Sequence, residues 1–349
     1  MLTLAVSREK RLLRESPWST LVGTPSKFRG GREIQQEGRL LTSKAVVIKS
    51  EVGLTGPPPR TTSDSRAPQA GSMRPRLGVK GAVRELWSAR ELTANLVRRD
   101  LKVRHRGSFL GMLWSLATPL LIVGLYWFIF SFIFKQPVAT DVLRPDGQKP
   151  AFALYFFAGL VMWNYFSTAV SASTGSVTGA GYLLNKVYFP RAILPLTSVL
   201  SSLVTFVFEF SVLLIAAVVA FGVPSPHLLW TPLIMAIGVV LAFGFALLLS
   251  AVTVLLRDVA HFVGVFMQLW FWGTPVIYSL QLVADRPGLV RLLELNPVTG
   301  LVVSFRNVVL LDHAPAFRLL AYDAAFAVVV LAVGAWAFGR WQRVFSEIV

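Results

Sequence analysis

The chain has 349 residues, of which 54% are hydrophobic and 15% are charged, and its formal net charge is +16. Soluble globular domains average about 25% charged residues, so this composition indicates a membrane protein. Cysteine is absent, which excludes disulfides and thiolate metal sites. The basic residues lack the aromatic or glycine-rich pattern of nucleic-acid binding, so nucleic acid is not an expected partner.

The first 79 residues are predicted to be a disordered, basic cytosolic tail. They are rich in Arg, Ser, Gly, Pro and Thr, and they lack the apolar periodicity needed to bury a core. Residues 1–106 contain 22 Lys and Arg against 9 Asp and Glu, which by the positive-inside rule places the N-terminus in the cytoplasm. A misassigned translation start, with Met73 as the first residue, is the alternative.

Residues 80–108 are predicted to form an amphipathic helix that lies in the membrane interface. At about 100° per residue, an apolar arc separates from most of the basic side chains. The arc consists of Val83, Leu86, Trp87, Ala94, Val97 and Leu101. The alternative is a soluble amphipathic helix packed on a partner protein.

Six apolar runs follow, each long enough to cross a membrane at about 1.5 Å per residue. They cover residues 109–134, 152–176, 193–221, 230–256, 259–282 and 317–340. The segment 289–311 is interrupted by polar residues and is predicted to form one or two re-entrant helices on the outer side.

The predicted fold is therefore all-α and polytopic, with an N-terminal interfacial helix and a six-span transmembrane domain over residues 109–349. An even number of spans puts both termini in the cytoplasm. The expected location is the inner or plasma membrane of a bacterium.

The sequence offers little catalytic chemistry. It contains no G-x-x-x-x-G-K-[ST] loop, so an ATP-driven step needs a separate subunit. Glu209 is the acidic residue predicted to lie well inside a span, where proton coupling is one alternative. Asp258 follows Arg257 at the end of a span and is predicted to form half of a local ion pair. No catalytic or metal-binding residue is predicted.

The loop between the second and third spans mixes aromatic and basic residues. They are Leu184, Asn185, Lys186, Val187, Tyr188, Phe189, Pro190 and Arg191. A short exposed helix with aromatic anchors is typical of docking on a soluble partner, and Pro190 ends it. An ordinary positive-inside loop with interfacial aromatics is the alternative.

Four ordered segments carry recognisable motifs: residues 99–114 (RDLKVRHRGSFLGMLW), 184–195 (LNKVYFPRAILP), 257–275 (RDVAHFVGVFMQLWFWGTP) and 295–306 (LNPVTGLVVSFR). In this order they resemble the motifs of ABC type-2 membrane subunits that export polysaccharides and polyol phosphates. Pro119 falls where the first motif has its proline, whereas His105 replaces a more common Tyr. The resemblance covers about residues 80–349 and leaves residues 1–79 without a counterpart.

The resemblance implies a homodimer of six-span permeases joined to two cytosolic ATP-binding subunits, which bind ATP and Mg. Family members move lipid-linked glycans, such as O-antigen, teichoic acid or galactan precursors, to the outer face. Residues 184–191 would then contact the ATP-binding subunit. The re-entrant segment, with Asn296, Pro297 and Arg306, would close the outer mouth.

Two further sets of residues are expected to contact the substrate. Aromatic side chains stack on sugar rings, so the glycan-tunnel candidates are Tyr126, Trp127, Trp163, Tyr165, Trp270, Trp272 and Tyr278. The candidates for the carrier pyrophosphate are Arg98, Arg99, Lys102, Arg104 and Arg106. Membrane-belt aromatics and contacts with anionic headgroups are the respective alternatives.

Three rival functions stay open at the level of the sequence. The same architecture could export a drug, a haem-related molecule or a free lipid. A membrane glycosyltransferase acting on lipid-linked sugars would depend on Glu209 or Asp258. A secondary transporter would depend on an ion gradient rather than on an ATPase.

Overall fold

The computed structural model describes residues 79–104, 113–129, 132, 143–181, 189–222, 224–342 and 345. The predicted tail lies outside these residues, except for Val79. Within the described residues, all regular elements are helical. The α-helices are α1 (Val79–Ser88), α2 (Arg90–Arg104), α3 (Trp114–Phe128), α4 (Phe152–Thr174), α5 (Ile193–Phe221), α6 (Thr231–Leu255), α7 (Val259–Trp272), α8 (Pro287–Glu294), α9 (Thr299–Arg306) and α10 (Phe317–Trp341).

Four helical segments are long and apolar enough to cross a membrane. They are α4 with 23 residues, α5 with 29, Pro226–Leu255 with 30, and α10 with 25. About 20 residues span the 30 Å hydrocarbon core, so each of the four is sufficient. They coincide with the second, third, fourth and sixth predicted spans, which confirms the prediction of an all-α, multi-span membrane fold.

The first and fifth predicted spans are only partly described as helix. Helix α3 has 15 residues, and most of the residues flanking it lie outside the described part of the chain. Helix α7 has 14 residues, or about 21 Å, and ends at Trp272 rather than at the predicted residue 282. The chain turns after Trp272 because Gly273 and the following residues bond to Asn296 instead of continuing the helix.

The predicted interruption after the fifth span is present as a sharp bend. Helix α8 and the helical segment Thr299–Leu311, which begins with α9, meet at 94°. Together they form either one broken span or a re-entrant loop. The bend falls at Asn296 and Pro297, two of the residues that interrupt the apolar segment 289–311.

Helix α4 lies at the centre of the bundle and packs against α3, α5, α6, α7 and α9. It is the most buried of the four long apolar helices. A second close contact joins α6 to α10, where a Cβ on Gly244 would lie 2.7 Å from the Leu331 nitrogen. Small residues allow membrane helices to approach this closely, so Gly244 and Gly334 set the spacing of this pair.

The N-terminal amphipathic segment differs from its prediction. It consists of two helices, α1 and α2, separated by a turn at Ala89. Leu86, Ala89, Leu92 and Leu96 pack against the buried helix ends of the bundle. Trp87, in contrast, is 68% exposed. The segment is therefore two helices rather than one, and its position in the membrane interface stays a prediction.

Candidate functional site

The side chain of Asn296 joins the end of α7 to the start of α9. Its Oδ1 accepts hydrogen bonds from Trp270 Nε1 at 2.9 Å and from the Val298 backbone N–H at 3.1 Å. Its Nδ2 donates to the Gly273 carbonyl and to Thr274 Oγ1, both at 2.8 Å. Only an amide supplies two donors and an acceptor in this arrangement, so neither Asp nor Leu could replace it.

Arg306 binds the same turn from its other side. The side chain is 2% exposed, and its Nε donates to the Tyr155 carbonyl at 3.0 Å. Nη1 donates to the Pro275 carbonyl at 2.7 Å, and Nη2 donates to the Val276 carbonyl. The guanidinium carbon lies 4.0 Å from the centre of the Tyr155 ring. Carbonyl dipoles and an aromatic face therefore stabilise this buried cation.

Gly159 on α4 makes room for the Arg306 guanidinium. A Cβ at this position would overlap the guanidinium and would lie 2.9 Å from the Val276 carbonyl oxygen. We refer to Asn296 and Arg306, with their bonds to residues 273–276, as the turn clamp. The clamp connects α4, the end of α7 and α9 into one unit.

Asp323 on α10 holds the opposite end of α9, and the sequence analysis did not select it. Its carboxylate is fully buried, and Oδ2 accepts a hydrogen bond from the Leu301 backbone N–H at 2.7 Å. Leu301 is the third residue of α9, whose first N–H groups lack helical partners. Asp323 therefore supplies an N-terminal cap from another helix. Its sequence signal is a single carboxylate inside the apolar run 317–340.

Arg144, in the connection before α4, anchors the residues that follow α9. It donates to the Leu310 carbonyl, and its guanidinium lies 4.1 Å from the centre of the Phe221 ring. It also forms an ion pair with Asp146 at 3.2 Å. The hydrogen bond from the Gln148 backbone N–H and the Arg144 guanidinium hold the pKa of Asp146 below its usual value.

The loops near this end of the bundle are linked by further polar contacts. Ser225 Oγ donates to Asp312 Oδ1 at 2.7 Å, and His313 Nε2 lies 3.2 Å from the Leu143 carbonyl oxygen. The chain from 307 to 313 is therefore attached both to the connection before α4 and to the one before α6.

The predicted coupling segment is described only from Phe189 onward, because 184–188 lie outside the described residues. Phe189 is buried in the cluster of helix ends that also contains Phe345, so it is not an exposed anchor. Arg191 Nη1 donates to the Gln342 carbonyl at the end of α10. Pro190 accepts a hydrogen bond from the Ile193 N–H at 3.0 Å. These residues connect the loop to the C-terminal end of the bundle.

The predicted pyrophosphate ligands differ in their surroundings. Arg98, Arg99 and Lys102 are exposed on α2. Arg104 forms an ion pair with Asp100 at 3.0 Å, and Arg106 lies outside the described residues. Three of the five cations are therefore exposed to anionic groups, and their role as pyrophosphate ligands stays a prediction.

Several predicted tunnel aromatics are buried within the chain. Trp163 and Tyr165 are 5% and 2% exposed. Trp163 packs edge-on against Trp270 and Phe271, with ring centres 6.5 and 5.8 Å apart. Tyr126 makes a similar contact with Phe156 at 5.2 Å. These rings pack the core of the bundle.

The remaining tunnel candidates lie nearer the surface. Trp127 is 47% exposed and Trp272 is 57% exposed. The Tyr278 hydroxyl donates to the Trp272 carbonyl at 3.1 Å. Trp127 and Trp272 are therefore not covered by other residues of this chain. Their place in a tunnel stays a prediction.

The acidic candidates Glu209 and Asp258 lie apart. Glu209, on α5, is 4% exposed, and its carboxylate interacts with the Asn164 side chain. Asp258 is exposed at the start of α7 and, in the described part of the chain, does not form the predicted ion pair with Arg257. Among the described residues, no group of three or more His, Asp or Glu side chains could hold a metal ion.

The long apolar helices and the broken helix pair define a multi-pass membrane protein, and its sequence lacks an ATP-binding loop. The chain belongs to the ABC-2 type transporter family, whose model matches residues 91–310. The family resemblance seen in the sequence is therefore confirmed. Members of this family are transport permeases, and a separate subunit supplies ATP hydrolysis, so the predicted role as a transport subunit is confirmed as well.

Three relatives extend this family assignment along the chain. The O-antigen export system permease protein RfbA of Myxococcus xanthus is 32% identical over 267 residues, which cover 76% of this chain and 98% of that relative. Two proteins of the same name from Klebsiella pneumoniae are 26% and 27% identical over 260 and 261 residues. Both alignments cover 74% of this chain and 95% of the relative.

Proposed function

We propose that this chain is the permease subunit of an ATP-driven exporter that moves a lipid-linked polysaccharide to the outer face of the bacterial inner membrane. The observation that carries the proposal is the alignment with O-antigen export permeases over nearly their whole length. The working assembly is a homodimer bound to two cytosolic ATP-binding subunits. O-antigen is the nearest substrate class, and teichoic acid or galactan precursors have related chemistry.

In this assembly each subunit crosses the membrane six times and keeps both termini in the cytoplasm. Helices α3 and α7, together with the residues next to them, form the first and fifth spans. The turn clamp then lies toward the outer face and controls the outer mouth. Its charge-assisted bonds favour a fixed turn when the pathway is closed.

Motion of the ATP-binding subunits reaches the bundle through residues 184–191. The contact of Arg191 with the end of α10 supports this route, because it joins the loop directly to a long membrane helix. Phe189 adds an apolar contact to the same cluster of helix ends. A displaced loop therefore displaces the ends of α5 and α10 with it.

The proposal is tested by deleting the gene in its own host and restoring it in trans. If this chain is the export permease, its loss should remove the polysaccharide from the cell surface. The lipid-linked form of the polysaccharide should then accumulate inside the cell. A catalytically inactive ATP-binding subunit should give the same result. Normal surface polysaccharide in the deletion strain would contradict the proposal.

The same strains separate the rival functions. A glycosyltransferase would abolish the lipid-linked polymer instead of trapping it, and Glu209→Gln would then reproduce the loss. A secondary transporter would continue to work with the inactive ATP-binding subunit. Exporters of drugs or free lipids would leave the polysaccharide unchanged.

A further inference from the structure

The second half of α4 has an exposed face that is polar. The partly or fully exposed positions include Asn164, Ser167, Thr168 and Ser171, which follow the i, i+3, i+4, i+7 spacing of one helix face. Tyr165, Phe166, Ala169 and Val170, which lie between them in the sequence, are buried in the bundle. We call these four residues the polar lane. It begins near the middle of α4 and runs toward the connection to α5.

The lane differs from the exposed faces of the other long helices. Away from their ends, α5 and α10 expose many large apolar side chains: Val204, Val207, Ile215, Val219, Val328, Val329, Val333 and Trp336. Such faces suit hydrocarbon. Helix α4 is the least apolar of the four long helices, although it is the most buried. Amide and hydroxyl groups gain less from lipid tails than apolar groups do, so the lane favours a polar environment.

A buried carboxyl group adds an independent observation. Glu209 is 4% exposed, and its carboxylate interacts with the side chain of Asn164, the first residue of the lane. Its Oε2 has no hydrogen-bond partner among the described residues. Buried polar atoms are normally paired with protein or ordered water. The lane therefore begins beside a buried carboxyl group that lacks a full set of partners in the described part of the chain.

We propose that the polar lane contacts the sugar hydroxyls of the exported glycan along a hydrated path through the bundle. This inference rests on the proposed function and adds the surface that binds the carbohydrate. Ser and Thr hydroxyls both donate and accept hydrogen bonds and rotate to suit their partner. They therefore exchange bonds with successive sugars as the chain moves. The buried Trp163 and Tyr165 precede and follow Asn164 on the same helix and lie on either side of the lane.

The alternative occupant of the lane is a helix from a second copy of this chain. Small polar residues also mediate packing between membrane helices. The two occupants predict different surroundings for the lane. A glycan path contains water, whereas a helix interface excludes it and brings two copies of α4 together.

The absence of cysteine in this chain permits a direct test with single cysteines. Thr168→Cys and Ser171→Cys report on the lane. Val207→Cys on α5 and Val329→Cys on α10 are matched controls, because these positions are 54% and 58% exposed on apolar faces. Each variant is assembled with the ATP-binding subunit in membranes and treated with a permanently charged, water-soluble methanethiosulfonate reagent.

We expect the lane cysteines to react at least about tenfold faster than the controls, because a thiolate forms only where water is present. Polysaccharide synthesis in the host should slow the lane reaction, compared with a strain blocked before polymer assembly. Reaction no faster than at Val207→Cys would overturn the proposal. An oxidant-induced disulfide between two Thr168→Cys subunits would also overturn it, in favour of helix packing.

Measuring polysaccharide export by the same variants distinguishes failure of the proposed function from failure of the carbohydrate assignment. A parent protein that exports no polysaccharide refutes the proposed function and the carbohydrate assignment together, whatever the labelling. An exporting complex whose lane reacts equally with and without substrate refutes only the carbohydrate assignment. Thr168→Val, which removes the hydroxyl but keeps the shape, should slow export several-fold, whereas Val207→Ala should not.

Discussion

Arg306 illustrates how one residue determines the local path of the chain. Its guanidinium reaches three backbone carbonyls from α4 and from the turn after α7, in a fixed planar geometry. Lysine has a point charge and a flexible stem, so it cannot satisfy three separated acceptors in this way. The arginine is therefore required for its shape as well as for its charge.

Arg306→Lys should destabilise the protein by about 3 kcal/mol, because it leaves buried carbonyls and a buried cation poorly paired. Thermal unfolding in detergent measures the effect. Arg318→Lys is the control, since Arg318 is 79% exposed in its ion pair with Glu294 and should contribute less than about 1 kcal/mol. Equal shifts in the two variants would contradict the structural role of Arg306.

Gly159→Ala should destabilise the protein by about 1–3 kcal/mol, because the added methyl group displaces the Arg306 guanidinium. Gly124→Ala on α3 is the matched control. A Cβ at Gly124 would meet no atom within 4 Å, so the helix should gain up to about 1 kcal/mol. Combining Gly159→Ala with Arg306→Lys should cost less than the sum of the two single changes, since both disrupt the same contacts.

At the scale of elements, α9 is held at both ends by helices distant in sequence. Asp323 from α10 caps its first turn, while Arg306 ties its last turn to α4. A helix of 8 residues is too short to be stable alone, so these tertiary contacts determine that it forms. Helix α8 is attached in the same manner, through the Tyr322 hydroxyl, which donates to the Leu295 carbonyl at 2.9 Å.

Asp323→Ala should destabilise the protein by about 1–2 kcal/mol, because the N-terminal N–H groups of α9 lose their cap. Asp323→Asn keeps an acceptor oxygen and should retain most of the stability. Asp258→Ala is the control, since Asp258 precedes α7 without a side-chain cap bond. Thermal unfolding and polysaccharide export are measured together. The interpretation fails if Asp323→Ala behaves like Asp258→Ala.

At the scale of the whole molecule, large apolar surfaces remain exposed on α3 and α7. Leu121 and Leu125 on α3, and Phe262 and Leu269 on α7, are each more than half exposed. Surfaces of this kind belong in contact with lipid or with another membrane helix. They are compatible with the proposed dimer.

Native mass spectrometry of the complex extracted gently from its own membrane should show two copies of this chain with two ATP-binding subunits. Arg191→Ala should leave this stoichiometry intact but slow export, because it removes the contact between the loop and the end of α10. A chain that appears alone, or with a soluble sugar-transferring enzyme, would contradict the ATP-driven assembly.

Much of the architecture is readable from the sequence because it depends on local composition. Lipid selects continuous apolar runs, so the four long helices fall where hydropathy predicts them. Polar interruptions likewise indicate that residues 289–311 do not form one continuous span, and the ordered motifs predict the family. The same reasoning joined α1 and α2 into one helix, since a single turn at Ala89 leaves almost no trace in the composition.

The tertiary structure alone decides which side of each helix faces the core of the bundle. Trp163 and Trp127 look alike in an apolar run, yet one is buried and the other exposed, because helix rotation is set by packing partners. The partners of Arg306 lie 151, 31 and 30 residues away, and Asp323 bonds to a residue 22 positions away. Hydropathy carries no information about such pairs. Membrane class and family are therefore properties of the sequence, whereas the turn clamp, the cap on α9 and the polar lane arise from the fold.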